Sequence, residues 1–382
     1  MIPRLCRSYA VLLALLVVPA LPALPALAQR PPVTVPAPGT SVTTLRHAFD
    51  RAAPLPLSLW APRTVLGYQE VLHGHGRLHV TCTDTPARGR CPRSDTGEGP
   101  GVRRPIQLEF HEQRSGQRRE IGVVGWLERV EWERTCSEDY WEKSEYPLWT
   151  SAVRECHVEP AGTAATLQLD AADLGLLVAG RWHAELHLDV RSGVGGAVLG
   201  RHVFALEVTV TDPGRAAIHL PEHGGSAAQM DLQLQLRTQP PPASVGGEAV
   251  LDMCLYDGMG STSSELVLIA RDGGPAVPGR APQFFSVWHQ GGGRAPHDRI
   301  DYHLQVLHAG AHRALLPGAH TRLDGIDSAD LRPVLLPGMD QPVYCVPTPL
   351  TFATPRVPAA DKRDGRYQGD LTLEMRLPTR RP

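Results

Sequence analysis

Leu371-Thr-Leu-Glu-Met-Arg-Leu377 alternates apolar and polar side chains without a break, and four further runs do the same: Ile106-Gln-Leu-Glu-Phe110, Leu186-His-Leu-Asp-Val190, Phe204-Ala-Leu-Glu-Val-Thr-Val210 and Met230-Asp-Leu-Gln-Leu-Gln-Leu236. A period of two puts one set of side chains on each face of an extended chain, so each run reads as an antiparallel strand with one face on a core. Most of the 37 glycines and 36 prolines fall between the runs, where they make turns and break helices. The best helix candidate is only Ala171 to Leu177. Many short strands at this spacing predict an all-β chain built of β-sandwiches.

Thr211-Asp-Pro-Gly-Arg215 interrupts two long strand patterns and divides the chain into a first domain, 29–212, and a second, 213–382. Arg30 to Thr40 is proline-rich and reads as an extended leader. Ahead of it, Arg4 and Arg7, an apolar stretch from Ala10 to about Ala26, and Ala26-Leu27-Ala28 have the order of a secretory signal, 1–28, cut after Ala28. No later segment reaches the roughly 20 apolar residues of a spanning helix, so export to a soluble state outside the cytoplasm is expected.

Cys6 leaves with the signal, and six cysteines remain. An even number in an exported chain favours disulfides over thiol chemistry. Spacing suggests Cys82 with Cys91 and Cys136 with Cys156, each closing a short loop, which leaves Cys254 to Cys345. A formal charge of −2 lacks the basic excess of a nucleic-acid binder.

The strand pattern Leu371 to Leu377 is followed by Pro378, and the sequence stops at Pro382. If that strand is the penultimate one of an immunoglobulin-like sandwich, the last strand is missing. Such a sheet carries an open apolar groove, prone to aggregation until something fills it.

Polar motifs are weaker. Val250-Leu-Asp-Met-Cys-Leu-Tyr-Asp-Gly-Met-Gly260 and the hydroxyls from Ser261 to Ser264 invite a phosphate-loop or nucleophile reading. No Gly-x-x-x-x-Gly-Lys-Ser/Thr and no Gly-x-Ser-x-Gly occurs, so strand, tight turn at Asp257-Gly258, and strand from Glu265 to Ala270 is the expectation. On a strand His73, His75 and His79 would share a face, but Gly74 and Gly76 favour a loop and no fourth ligand is evident. Asp324 to Asp330 has acidic spacing without the calcium-loop pattern. Trp126, Trp132, Tyr140, Trp141, Tyr146 and Trp149 could offer a binding surface, or could in part be core. No catalytic residue, metal or cofactor is expected.

Several segments together resemble a family. Val250-Leu-Asp-Met-Cys-Leu-Tyr-Asp-Gly258, Val343-Tyr-Cys-Val-Pro347 and Gly365-Arg-Tyr-Gln-Gly-Asp-Leu-Thr-Leu373 are similar to the tip subunits of alternate chaperone–usher fimbriae, the class 5 tip adhesins and the CblD-like pilus initiators. Arg77 to Cys82, Cys91 to Asp95, Ile106 to Arg114, Leu206 to Asp212 and Ile218 to Pro221 stand in the same order. The resemblance implies an N-terminal adhesin domain and a C-terminal pilin domain, both immunoglobulin-like sandwiches, the second lacking its final strand. A periplasmic chaperone would fill the groove first, and at the outer-membrane usher the N-terminal strand of the major pilin would replace it. It further implies a surface-exposed fimbrial tip that starts assembly, and a host glycan or glycoprotein receptor met by distal arginines. Arg77 matches one such position; Arg191, followed by Ser192-Gly193 rather than a basic run, matches a second in part. A non-adhesive initiator, a free-standing secreted binding module, and a periplasmic metal-dependent hydrolase using the three histidines are the competing readings.

Overall fold

A computed structural model describes residues 34–69, 74–134, 139–154, 159–193, 196–273 and 279–377. The proposed signal, His73 and the Cys136 with Cys156 pair lie outside these residues.

The first domain contains β1 (Thr34–Val35), β2 (Ser41–Asp50), β3 (Leu57–Gln69), β4 (His79–Cys82), β5 (Ile106–Glu112), β6 (Arg118–Val130), β7 (Gly162–Leu169), β8 (Gly180–Arg191) and β9 (Val198–Thr211). They pair in the order β1-β3-β7-β6-β5-β8-β9-β2, with β4 on β8. β1 and β2 are neighbours in sequence yet lie at opposite ends of this path, so the N-terminal stretch draws the sheet's two edges together over one core. Part of the expected leader is therefore strand, with Val35 opposite Tyr68. β2 runs parallel to β9, against the antiparallel expectation, over Ser41 to Asp50. The chain enters from across the fold, with no hairpin to reverse it. Alternation holds where the sequence shows it: Ile106, Leu108 and Phe110 are buried, as are Leu186, Leu188, Leu206 and Val208. The helix candidate shrinks to one turn, Ala171–Leu174, packed beside β6.

The second domain adds β10 (Ala217–His219), β11 (Gln235–Arg237), β12 (Ser244–Leu251), β13 (Cys254–Tyr256), β14 (Glu265–Asp272), β15 (Phe285–His289), β16 (Arg299–His308), β17 (Ala311–Leu315), β18 (Thr321–Asp324), β19 (Arg332–Val334), β20 (Val343–Pro347), β21 (Leu350–Pro358), β22 (Tyr367–Gln368) and β23 (Leu371–Arg376). β12 with β13, and β20 with β21, are the halves of two long kinked strands that pair throughout, Leu251 with Leu350 and Cys254 with Pro347. Disulfide Cys254–Cys345 ties their upper halves, at a Cα separation of 5.7 Å. β10 and β11 line one edge of this sheet; β16, β15 and β22 extend the other side. Among the described residues the facing sheet is β18-β14-β23.

Two expectations change here. The run Met230 to Leu236 is a hydrogen-bonded strand only from Gln235 onward. A bulge at Val245/Gly247 disturbs the neighbouring β12, and a Cβ on Gly247 would stand 2.4 Å from the Gln233 carbonyl oxygen. Gln233 has a φ of 53° and donates its N–H to Asp231 Oδ1 (2.8 Å), so Met230 to Leu234 lies outside the ladder, with Met230, Leu232 and Leu234 turned to the core. Nor do Val250 to Tyr256 and Glu265 to Asp272 form a hairpin, because β13 and β14 belong to different sheets.

The intervening turn is a junction. Asp257 is fully buried and its carboxylate accepts from the N–H groups of Met259 (2.8 Å), Ser261 (2.7 Å) and Ser263 (3.0 Å) and from Ser263 Oγ (2.7 Å). Gly258 and Gly260 have φ of 70° and 69°, and added Cβ atoms would meet the Asp212 carbonyl oxygen at 2.3 Å and the Ala179 carbonyl oxygen at 2.7 Å. Only glycine accommodates both the left-handed backbone and this approach. The Asp212 N–H donates to the Gly258 carbonyl (2.6 Å), and Arg114 Nη2 reaches the Ile326 and Ala329 carbonyls (2.6 and 2.7 Å). Apolar packing also crosses the boundary: Tyr256, Val334 and Leu336 belong to the cluster that holds Leu206 and Val210.

Candidate functional site: an open groove and a distal pole

β23 pairs with β14 on one side, and among the described residues no strand pairs with the other. Across from that edge stand β10 and the unpaired stretch leading to Leu232. Between them runs a groove of about 690 Å³, floored by Leu251, Tyr302, Leu350, Phe352, Leu373 and Met375. Cross-strand partners show what is missing. Leu268 and Ala270 on β14 have no exposed surface, whereas Met375 and Leu373, paired directly opposite, are half-buried. A further strand laid between β10 and β23 would join both half-sheets, use the free backbone groups and cover these side chains.

The second site lies at the far end of the first domain. β8 starts at Gly180, against the second domain, and climbs to Arg191; at strand rise this is about 36 Å. There β4 pairs with β8, His79 opposite Arg191, so the two arginines singled out in the sequence come to the same end of one ladder. Neither is bare. Arg77 forms a two-pronged pair with Glu159, Nε to Oε2 at 2.8 Å and Nη2 to Oε1 at 2.5 Å, which raises its pKa further. Nη1 stands outside that pair. Arg191 donates through Nε to Thr81 Oγ1 (3.0 Å) and lies 3.9 Å from Asp189. Arg201, not singled out in the sequence, holds the same carboxylate at 2.7 Å. Two partly exposed arginines therefore share one buried acid, leaving a net positive charge.

His79 is buried beneath them. Burial lowers its pKa from 6.5, although Asp95 and a hydrogen bond to the Arg77 main chain pull upward. Burial would raise the pKa of Asp95, but hydrogen bonds from Ser151 and Gly97 outweigh it and the carboxyl ends below its ordinary value. Disulfide Cys82–Cys91 closes the end of β4. Of the aromatic group, Trp141, Tyr146 and Trp149 are core. Trp126 is half-buried under the Arg103 guanidinium at 4.6 Å. Among the described residues no cluster of histidine, cysteine and acids could hold a metal.

His75, His79, His187 and His202 in this domain all have pKa values lowered from 6.5, with burial the largest cause. The folded domain keeps them neutral while the unfolded chain protonates them, so their stabilisation is full above pH 6.5 and is lost as pH falls through the folded values. The first domain's melting temperature should drop between pH 7 and pH 5 in a thermal melt of the full chain, and His79→Gln should flatten that slope. A flat profile in the wild type would count against it.

These features define a class: a two-domain β-sandwich protein with a closed, distally charged first domain and a strand-accepting second one. Residues 24–213 match the family model for the first domain of the CFA/I fimbrial protein CfaE, and residues 216–379 match that for its second domain. The chain belongs to this CfaE family of CFA/I fimbrial proteins. The curated CFA/I fimbrial member of the family from Escherichia coli is 27% identical over 354 residues, covering 88% of this chain and 90% of that protein. The crystal structure of CfaE, the adhesive subunit of the CFA/I fimbria of enterotoxigenic Escherichia coli, superposes with a TM-score of 0.69 at 23% identity, over 90% of this chain and 94% of that one. A structure from a chaperone–tip adhesin complex of CFA/I fimbriae gives 0.65 at 21%, over 90% and 98%.

Proposed function

We propose that this chain is the tip subunit of a chaperone–usher fimbria of the class 5 or CblD-like group, initiating assembly by accepting a donor strand and binding a host receptor at its distal pole. After loss of 1–28, residues 29–212 form the adhesin domain and 213–382 the pilin domain. The open groove carries this reading, because two edges unpaired among the described residues, over an apolar floor whose Leu251, Leu373 and Met375 are half-buried, need a strand and cannot be met by a small ligand. A periplasmic chaperone supplies it first and the major pilin replaces it at the outer-membrane usher. The finished protein stands at the fimbrial tip on the cell surface, a reading supported by the shared fold of the adhesive subunit of the Escherichia coli CFA/I fimbria and of a chain from a chaperone–tip adhesin complex.

At the pole, Arg77 and Arg191, joined by Arg201, suit a carboxylate-bearing glycan, since guanidinium N–H groups outside the pairs with Glu159 and Asp189, Arg77 Nη1 among them, can form charge-assisted hydrogen bonds to a carboxylate. One experiment separates the two roles in bacteria that assemble the fibre. Leu373→Asp, which puts a charge on the groove floor, should abolish fibres. Arg77→Ala with Arg191→Ala should leave fibre number unchanged and remove adhesion to sialylated cells. Normal fibres in the first variant or normal adhesion in the second would sink the corresponding role.

A further inference from the structure

Beneath the half-buried Arg77 lies an arginine that solvent does not reach. Arg129 on β6 is completely buried, and its pKa falls to about 10 through burial, so it stays charged at neutral pH. Nη1 donates to the Leu78 carbonyl (2.7 Å) and Thr163 Oγ1 (2.9 Å). Nη2 donates to the carbonyls of Thr150 (2.7 Å) and Ala152 (2.9 Å), and Nε also reaches Ala152 (3.2 Å). A buried charge is tolerated only when matched in this way, and an apolar residue of similar volume often serves stability as well or better. The arrangement is therefore better understood through what it holds.

Its acceptors come from three segments that meet only at the pole. Leu78 adjoins Arg77, and the Arg77 main chain is itself hydrogen bonded to the buried His79 ring. Thr163 relays the hold, donating from the same hydroxyl to the His75 carbonyl (2.8 Å). Ser151, between the two other carbonyls, binds Asp95 through its N–H (3.0 Å) and its hydroxyl. The turn before Arg77 is pressed home as well, since a Cβ on Gly76 would lie 1.8 Å from the Pro160 carbonyl oxygen, one residue from the Glu159 that grips Arg77.

Building on the adhesive reading of the pole, we propose that Arg129 is a positioning residue for receptor recognition: it fixes from below the backbone that presents Arg77 beside Arg191 and Arg201, so that a carboxylate-bearing glycan meets a preformed cationic site. Rigid support of this kind keeps binding groups in productive geometry.

The test uses the full chain for hydrogen exchange and whole fimbriated cells for adhesion to a sialylated glycoprotein, with its desialylated form as control. Arg129→Met should speed exchange at the Val80 and Thr96 amides, which bond the Leu148 and Trp149 carbonyls, and leave β14 unchanged. It should weaken adhesion about tenfold or more, and that loss should vanish in an Arg77→Ala background, because residues acting through one another are not additive. Arg129→Lys should restore part of the adhesion. Additive losses, or unchanged exchange at the pole, would overturn the proposal. If wild-type cells do not distinguish the two glycoprotein forms, the glycan reading fails and exchange alone decides the positioning role. If Arg129→Met does not fold, Thr163→Val removes one acceptor at nearly constant shape, and unchanged exchange and adhesion there overturn the proposal equally.

Discussion

A strand of alternating apolar residues, fused after Pro382 through a short turn, should raise the melting temperature of the second domain by about 15 °C or more. The size follows from the groove. Its apolar rim and floor would take about four large side chains, at roughly 1.5–3 kcal/mol each for full burial. The sum, about 6–12 kcal/mol, is an upper estimate because the unfolded chain already hides some surface. It still rivals the whole stability of an ordinary domain, about 5–15 kcal/mol. For a domain of this size each kcal/mol moves the midpoint by about 2–4 °C. Calorimetry of the full chain with and without the strand would measure this. The same strand shifted by one residue, which turns its polar face inward, should give almost none of the rise. A gain under about 3 °C with the correct register would mean that the groove is not a strand site.

Asp257→Ala should be the most damaging single change at the junction between the domains. The carboxylate satisfies three main-chain N–H groups and one hydroxyl in a place with no exposed surface. Each buried donor left without a partner costs about 1–3 kcal/mol, so the three main-chain N–H groups alone put the loss at about 3–9 kcal/mol. Because the turn also receives the Asp212 N–H and packs on Ala179, proteolysis between residues 212 and 216 should accelerate with the loss of stability. Asp257→Asn should be milder, since one oxygen can still serve Met259 and Ser261 while the amide opposes the Ser263 N–H. Denaturant melts would rank the three proteins. An alanine variant within about 1 kcal/mol of wild type would show that the turn is held by packing alone.

The contrast between what can and cannot be read from residues follows the range of each interaction. Alternation is local, so the strands at Ile106, Leu186, Phe204 and Leu371 are legible. Pairing is not local. Nothing near Ser41 announces that β2 will lie parallel to β9, whose matching residues stand 161 positions away. Met230 to Leu234 carries a strand pattern yet leaves the ladder because of a bulge in another strand. At the pole, Arg77 and Arg191 are accessible through resemblance. Glu159, which occupies Arg77 from 82 residues away, is not. Arg201 can be found by pairing Leu186 to Val190 with Phe204 to Val210 as a hairpin and extending it, which brings Asp189 opposite Arg201. Arg129 offers no such clue, since three of its four acceptors are main-chain carbonyls that any sequence would carry.

The parallel seating of β2 on β9 bears on how a fimbrial tip withstands pulling. Under the proposed function, tension from a fibre would enter the first domain where β9 ends at Thr211, and a receptor bound at the pole would pull from the other end of the same long strands. β8, β9 and β2 run lengthwise between those points, so the load acts along their ladders. Ten consecutive residue pairs between β2 and β9 are then sheared together, where a strand peeled from its end would lose them one by one. The strand that wraps the fold closed also serves as its tie-rod.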